Sequence, residues 1–300
     1  MAPKQSSVLL KRLGYALKLI LSVLITWLVF RKINLSEVWE GITAIPPGIA
    51  LLILLISLIR HYLQYQNWWL ALQMNPGFVA KRRDIQCSYL IGNFLRFLLP
   101  GGHGTFGKVF FIKNSSKTAT AVAVTSERVA QTWSVFLFAA LGASYYYLQW
   151  YAVYKLLLLG LILAFPLLFW IPVRLHPAFS EVREGYKRDL PIMLLIQICT
   201  NLLTMLQYWL LLGVMLRISY PETVLRMSLV QFSDTIPITI SGLGLREGFA
   251  VHFLEDAGVS AKQAVTATLG LFVSQDIIPG LVGLPFFLMH KRSSSSGKEG

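Results

Sequence analysis

The feature that most constrains this chain is a series of long runs in which almost every residue is apolar. A helix needs about 20 such residues to cross a bilayer. The sequence offers runs of this kind at residues 13–30, 48–73, 120–148, 153–173, 190–216 and 261–289. Two shorter apolar segments, 85–99 and 224–240, each end in a glycine-rich turn. Charged residues make up 14% of the chain and its mean hydropathy is +0.59, against about 25% charge in a soluble globular protein. So little polar surface could not cover a water-soluble core without large exposed apolar patches. So much apolar surface excludes a disordered chain. The expected fold is therefore all-α and polytopic: one integral membrane domain over residues 1–292, with the low-complexity segment 293–300 as a disordered tail.

The first run follows Lys4, Lys11 and Arg12, as a signal peptide would. It is longer than the usual apolar core of a signal peptide and lacks a small-residue cleavage site, so an uncleaved first span is expected. The second run turns polar in its latter half, at Arg60, His61, Gln64, Gln66 and Asn67. That side must face protein or water rather than lipid.

Lys and Arg number 27 against 14 Asp and Glu, a net charge of +13. In a soluble chain this would point to nucleic acid; in a membrane chain it reports cytoplasmic loops and contact with anionic headgroups. Nucleic acid is therefore not an expected partner. The positive-inside rule works best if segment 85–99 enters and returns on one face. Lys4–Arg12, Lys81–Arg83, Lys108–Lys117, Arg174–Arg188 and Lys291/Arg292 then all lie inside. The same logic returns segment 224–240 from the outer face. The expectation is about six full spans and two opposed re-entrant hairpins, with both termini cytoplasmic. Opposed hairpins suggest an inverted repeat, the transporter device that places a substrate near the midplane. Pro100 with Gly102 and Gly104 matches Pro237 with Gly242 and Gly244 in this sense.

Residues 102–107 also fit GxGxxG, with Glu127 twenty residues on, but the dinucleotide fingerprint needs a preceding strand and a parallel sheet, and the flanks here are helical. No cofactor is expected. The five histidines show no metal-ligand spacing. Cys87 and Cys199 lie in apolar runs and form no CxxC pair, so buried thiols are expected. The charges inside apolar runs are the informative ones, because an intramembrane charge is expensive. Arg96 calls for either a function or a buried pair. Glu127 and Arg128 point about 100° apart on a helix, so each should meet a partner on another helix or face a polar cavity. Glu247 suits a helix N-terminus, and Arg246 beside it could hold a headgroup phosphate. Asp234 and Asp276 could be proton or cation sites, or partners for Arg60, Arg96 or Arg128. Lys108, Lys113 and Lys117 add positive charge near the first glycine loop. An anionic headgroup suits such a mouth; for Lys113 and Lys117 ordinary interfacial anchoring is the expected role.

The stretch from Asn93 to Gly104, then Ser126-Glu127-Arg128, then Ile236-Pro237 and Ser241 to Gly248 resemble the lysylphosphatidylglycerol synthase transmembrane family. That family includes the lipid-flipping half of the bacterial multiple peptide resistance factor. The resemblance covers about residues 10–290, and the GLGxREG run is its most specific part. It implies re-entrant helices whose glycine loops bind or move aminoacylated phospholipid or polyprenyl-linked substrates. The positions it implies are Pro100, Gly104, Glu127, Arg128, Pro237, Gly242, Gly244, Arg246, Glu247 and Gly248. One departure is that the first glycine loop keeps only a base, Lys108, where the family often carries an acid before it. Another is that the soluble synthase half is not expected here, so lipid lysylation by this chain is not expected either.

The expected function is a lipid translocase, for a phospholipid or a polyprenyl-linked lipid, with no catalytic residues. Arg96, Arg128 and Arg246 would neutralise phosphate, and Glu127 and Glu247 would pair these arginines or a cationic headgroup. Gly102, Lys108 and Asp234 complete the candidate site. The alternatives are an ion-coupled solute transporter with Asp234 or Asp276 as its coupling acid, or a non-catalytic subunit working with a separate biosynthetic enzyme.

Overall fold

The computed structural model describes residues 35–98, 100–112, 117–147, 151–236, 239 and 242–296. The first expected span, 13–30, lies outside these residues. The described chain is helical, with no strand among its residues. It runs α1 (Leu35–Thr43), α2 (Pro47–Gln73), α3 (Arg82–Leu98), a 3-10 segment (Pro100–Phe111), α4 (Lys117–Tyr146) and α5 (Ala152–Leu175). After a second 3-10 segment (Pro177–Val182) come α6 (Arg183–Met215), α7 (Tyr220–Phe232), a 3-10 turn (Ser233–Thr235), α8 (Leu245–Glu255) and α9 (Ala261–Phe272). A π turn (Val273–Ile277) joins α9 to α10 (Ile278–Ser296).

Local chemistry sets several of these boundaries. Pro47 opens α2, where its missing N–H costs nothing. The Ser219 and Ser260 hydroxyls accept from the backbone N–H groups of Glu222 and Gln263, capping α7 and α9. The Gln263 side chain accepts in return from the N–H of Ser260, closing a capping box.

Among the described residues, four helical stretches are long and apolar enough to cross a membrane: 47–73, 152–175, 179–215 and 261–289. The protein is thus a multi-pass integral membrane protein. Its spans are apolar on the outside: Leu58 is 66% exposed and Leu156 72%, as lipid-facing side chains must be. Their polar residues turn inward. In α2, Ser57, Arg60 and Asn67 are buried, as expected from the polar latter half of that run. α4 is 30 residues long, enough for about 45 Å, but it carries Glu127 and Arg128 and is not among those four. α6 runs through both apolar cores. It contributes Tyr186 and Met193 to one built with Trp68, Leu72 and Ile85, and Met205, Tyr208 and Leu212 to one built with Met227, Leu254 and Leu271. α3 lies directly on α10: a Cβ at Gly283 would stand 2.1 Å from the Leu90 carbonyl oxygen, so the two backbones touch where the side chain is absent.

Three expectations need correction or comment. The thiols are not both buried: Cys199 is exposed on the outer face of α6 and Cys87 is half-buried. The reason is that a cysteine in an apolar span is as well satisfied by lipid as by protein. Lys108 is buried in the interior, so it cannot serve as an interfacial anchor, and the positive-inside tally must do without it. Finally, α10 is described as far as Ser296, and residues 297–300 of the expected tail lie outside the described residues.

Candidate functional site

Two charged clusters and several polar groups occupy the interior. The first cluster joins elements far apart in sequence. Arg96 stands in the last turn of α3, where the helix dipole favours a cation. Arg246 and Glu247 open α8. Gly242 and Gly244 precede them with φ of 78° and 82°, the left-handed region that glycine adopts without strain. The Glu247 carboxylate accepts the Gly244 N–H at 2.6 Å and so fixes the helix start. The Gly248 N–H bonds the Gly244 carbonyl. Asp276 comes from the π turn, a helical irregularity that frequently marks functional sites.

These groups converge at a distance. Arg96 NH2 lies 3.6 Å from Asp276 Oδ1, and Arg246 NH1 lies 3.9 Å from Asp276 Oδ2. Arg246 Nε is 3.5 Å from Glu247 Oε1. All three separations exceed a hydrogen bond. Arg246 Nε and NH2 and Glu247 Oε1 are buried and make no hydrogen bond in the structure. The Phe272 ring lies 5.3 Å from the Arg246 guanidinium carbon, close enough for a cation–π contact. Asp234, in the 3-10 turn after α7, is exposed. Its Oδ1 would lie 2.5 Å from a Cβ on Gly242, so only glycine there lets this carboxylate sit against the loop.

The second cluster ties the first glycine segment to α4. Lys108 Nζ donates to Glu127 Oε2, and both side chains are almost wholly buried. Lys108 Nζ also lies 3.9 Å from the Trp68 ring centroid. Arg128 points elsewhere, as adjacent positions on a helix must. It donates to Gln131 Oε1 at 3.3 Å and lies 5.1 Å from the Phe106 ring of the 3-10 segment.

Beside the clusters, polar side chains hydrogen-bond in separate groups. Arg60 Nε donates to Thr204 Oγ1 at 3.1 Å. Gln64 donates to Gln197, and Gln131 donates to Gln64, each at 3.1 Å. Gln207 donates to Ser57 Oγ and the Ile53 carbonyl, and Gln275 donates to Gln207.

Of the residues expected from sequence, Arg96, Asp234, Gly242, Gly244, Arg246, Glu247 and Gly248 come together in one region, with Asp276 among them. Lys108, Glu127 and Arg128 form the other. Pro100, Gly102 and Gly104 fall in the 3-10 segment, directly after α3 and without a strand before it; this is not the turn of a dinucleotide site. Pro237 lies outside the described residues. Sequence reasoning missed Gln131, Gln197, Gln207 and Gln275. A signal existed: Gln197, Thr200, Asn201, Thr204 and Gln207 recur at helical spacing along one stripe of an otherwise apolar span, and all five are buried.

An interior that combines buried arginines, unsatisfied donors and hydrogen-bonded amides can bind an anionic or zwitterionic group. Among the described residues, no three His, Cys, Asp or Glu side chains gather as metal ligands. No curated protein matches the chain. The family described as the lysylphosphatidylglycerol synthase TM region matches residues 15–283, nearly the whole length over which the arginines, glycine turns and π turn are distributed. With its multi-pass helical architecture and that match, the chain belongs to the lysylphosphatidylglycerol synthase TM region family.

Proposed function

We propose that the protein is a lipid translocase of the bacterial inner membrane, moving a phospholipid or polyprenyl-linked lipid by its phosphate-bearing headgroup. The observation that carries this reading is the approach of Arg96 and Arg246 to one carboxylate without hydrogen bonding, with two buried Arg246 nitrogens left without acceptors. A buried donor without a partner costs about 1–3 kcal/mol, more when charged, and a phosphate oxygen entering the cluster would supply the acceptor. The headgroup crosses past Gln64, Gln131, Gln197 and Gln207 while the acyl chains stay beside the apolar outer faces of the spans. Arg128 takes part from the α4 side. Segments 85–99 and 224–240, with their glycine turns, act as opposed re-entrant hairpins within six spans, and both termini are cytoplasmic.

The ion-coupled solute reading has less support. Asp276 faces two arginines and Asp234 sits against the Gly242 turn that precedes Arg246, and neighbouring guanidinium charge disfavours a cation at either acid.

Fluorescent-lipid scrambling in reconstituted liposomes tests the proposal. Arg246→Ala and Arg96→Ala should each slow scrambling by about tenfold or more, the loss of one charge-assisted contact. Rates equal to wild type in both variants would overturn the mechanism.

A further inference from the structure

We propose that Asp276 is a displaceable internal counter-ion, standing between Arg96 and Arg246 where the phosphate oxygens of the lipid headgroup bind. This rests on the lipid-anion reading above. A carboxylate and a phosphate offer guanidinium forks a similar pair of oxygens, so one can replace the other.

The geometry distinguishes this from a structural bridge. A buried Arg–Asp pair offsets its desolvation only by closing to charge-assisted hydrogen bonds, about 2.7–2.9 Å long. The same protein closes an Arg–Asp contact to that length elsewhere: the exposed Arg188 donates to both oxygens of the buried Asp189 at 2.7 Å. Asp276 instead stands 3.6 and 3.9 Å from its two arginines. It balances their charge from beyond hydrogen-bonding distance, and Arg246 keeps Nε and NH2 free of hydrogen bonds.

The position gives the device a direction. Asp276 and Arg246 are buried, at 8% and 7% side-chain exposure, while Arg96 is 38% exposed. An incoming anion meets Arg96 first, then displaces the carboxylate from Arg246. The π turn carries Asp276 on a helical irregularity, where a carboxylate can withdraw without breaking a regular helix. When the anion leaves, Asp276 returns and keeps the two arginines compensated. Asp276 thereby lowers the affinity of the resting site, as a conduction pathway requires if its cargo is to leave.

The test measures binding of dioctanoylphosphatidylglycerol to the purified full-length chain by isothermal titration calorimetry. Asp276→Asn should bind about tenfold more tightly than wild type. Inorganic phosphate should also raise the thermal midpoint of Asp276→Asn more than that of wild type. If Arg246→Ala loses binding but Asp276→Asn binds no more tightly, the counter-ion role is overturned and the lipid-anion reading stands. If Arg246→Ala binds as wild type does, both fall. Should Asp276→Asn fail to fold, Asp276→Asn/Arg96→Gln is compared with Arg96→Gln alone. Tighter binding by the double variant supports the proposal, and equal binding overturns it.

Discussion

Lys108 and Glu127 show what one buried pair does at the scale of residues. Their charges neutralise each other inside the bundle and fasten the 3-10 segment to α4 beneath the Trp68 ring. Removing one partner strands the other as an uncompensated buried charge, at a cost of about 3–5 kcal/mol. Glu127→Gln should therefore lower the thermal midpoint in detergent sharply. Lys108→Met/Glu127→Leu should recover most of the loss, and a double variant as unstable as the single would show that the pair is not what holds the segment. The sequence displays both residues and the expense of burying them. It does not show that they meet, because nineteen residues and a change from 3-10 to α geometry separate them. The base of the first glycine loop, Lys108, thus meets its acid on α4. Arg128 was legible as a charge that does not pair with its neighbour, since adjacent helical positions diverge.

At the scale of elements, the contact of α3 with α10 depends on a missing side chain. Gly283 stands where any Cβ would press on the Leu90 carbonyl. Gly283→Leu should separate the two helices and destabilise the protein by about 1–3 kcal/mol, the usual cost of overpacking. A thermal midpoint equal to wild type would show that the contact is not tight. Separating α3 from α10 also moves Arg96 relative to the π turn, so the same variant should scramble lipid more slowly. Some helix positions were readable from the apolar runs to within a few residues: 48–73 became Pro47–Gln73, and 153–173 became Ala152–Leu175, whereas the helix over 190–216 begins earlier, at Arg183. The π turn was not readable. It adds a residue to a turn at Ser274-Gln275-Asp276, and polar residues inside an apolar run do not by themselves mark a π turn.

At the scale of the whole molecule, the proposed topology puts the charged loops on either side of segment 85–99 on one face of the membrane. Single cysteines at positions 81 and 113, in a background of Cys87→Ser and Cys199→Ser, test the first proposed hairpin. A membrane-impermeant maleimide should label both from the same face of the membrane. Labelling from opposite faces would make segment 85–99 a full span and overturn the topology.

The sequence by itself determined that this protein lives in a membrane, that it is helical and where most spans lie. Those properties follow from apolar area and helical rise, which are additive along the chain. It also picked out the arginines and glycine turns, because a charge or a flexible backbone in lipid is conspicuous wherever it falls. Only the tertiary structure decided which charges meet. It brought Arg96 and Arg246 to Asp276 and gave Lys108 to Glu127. It also joined glutamines of α2, α4 and α6 by hydrogen bonds. The physical reason is that charge pairing depends on distance and dielectric in three dimensions. Those are set by how helices pack, and separation along the chain does not encode them.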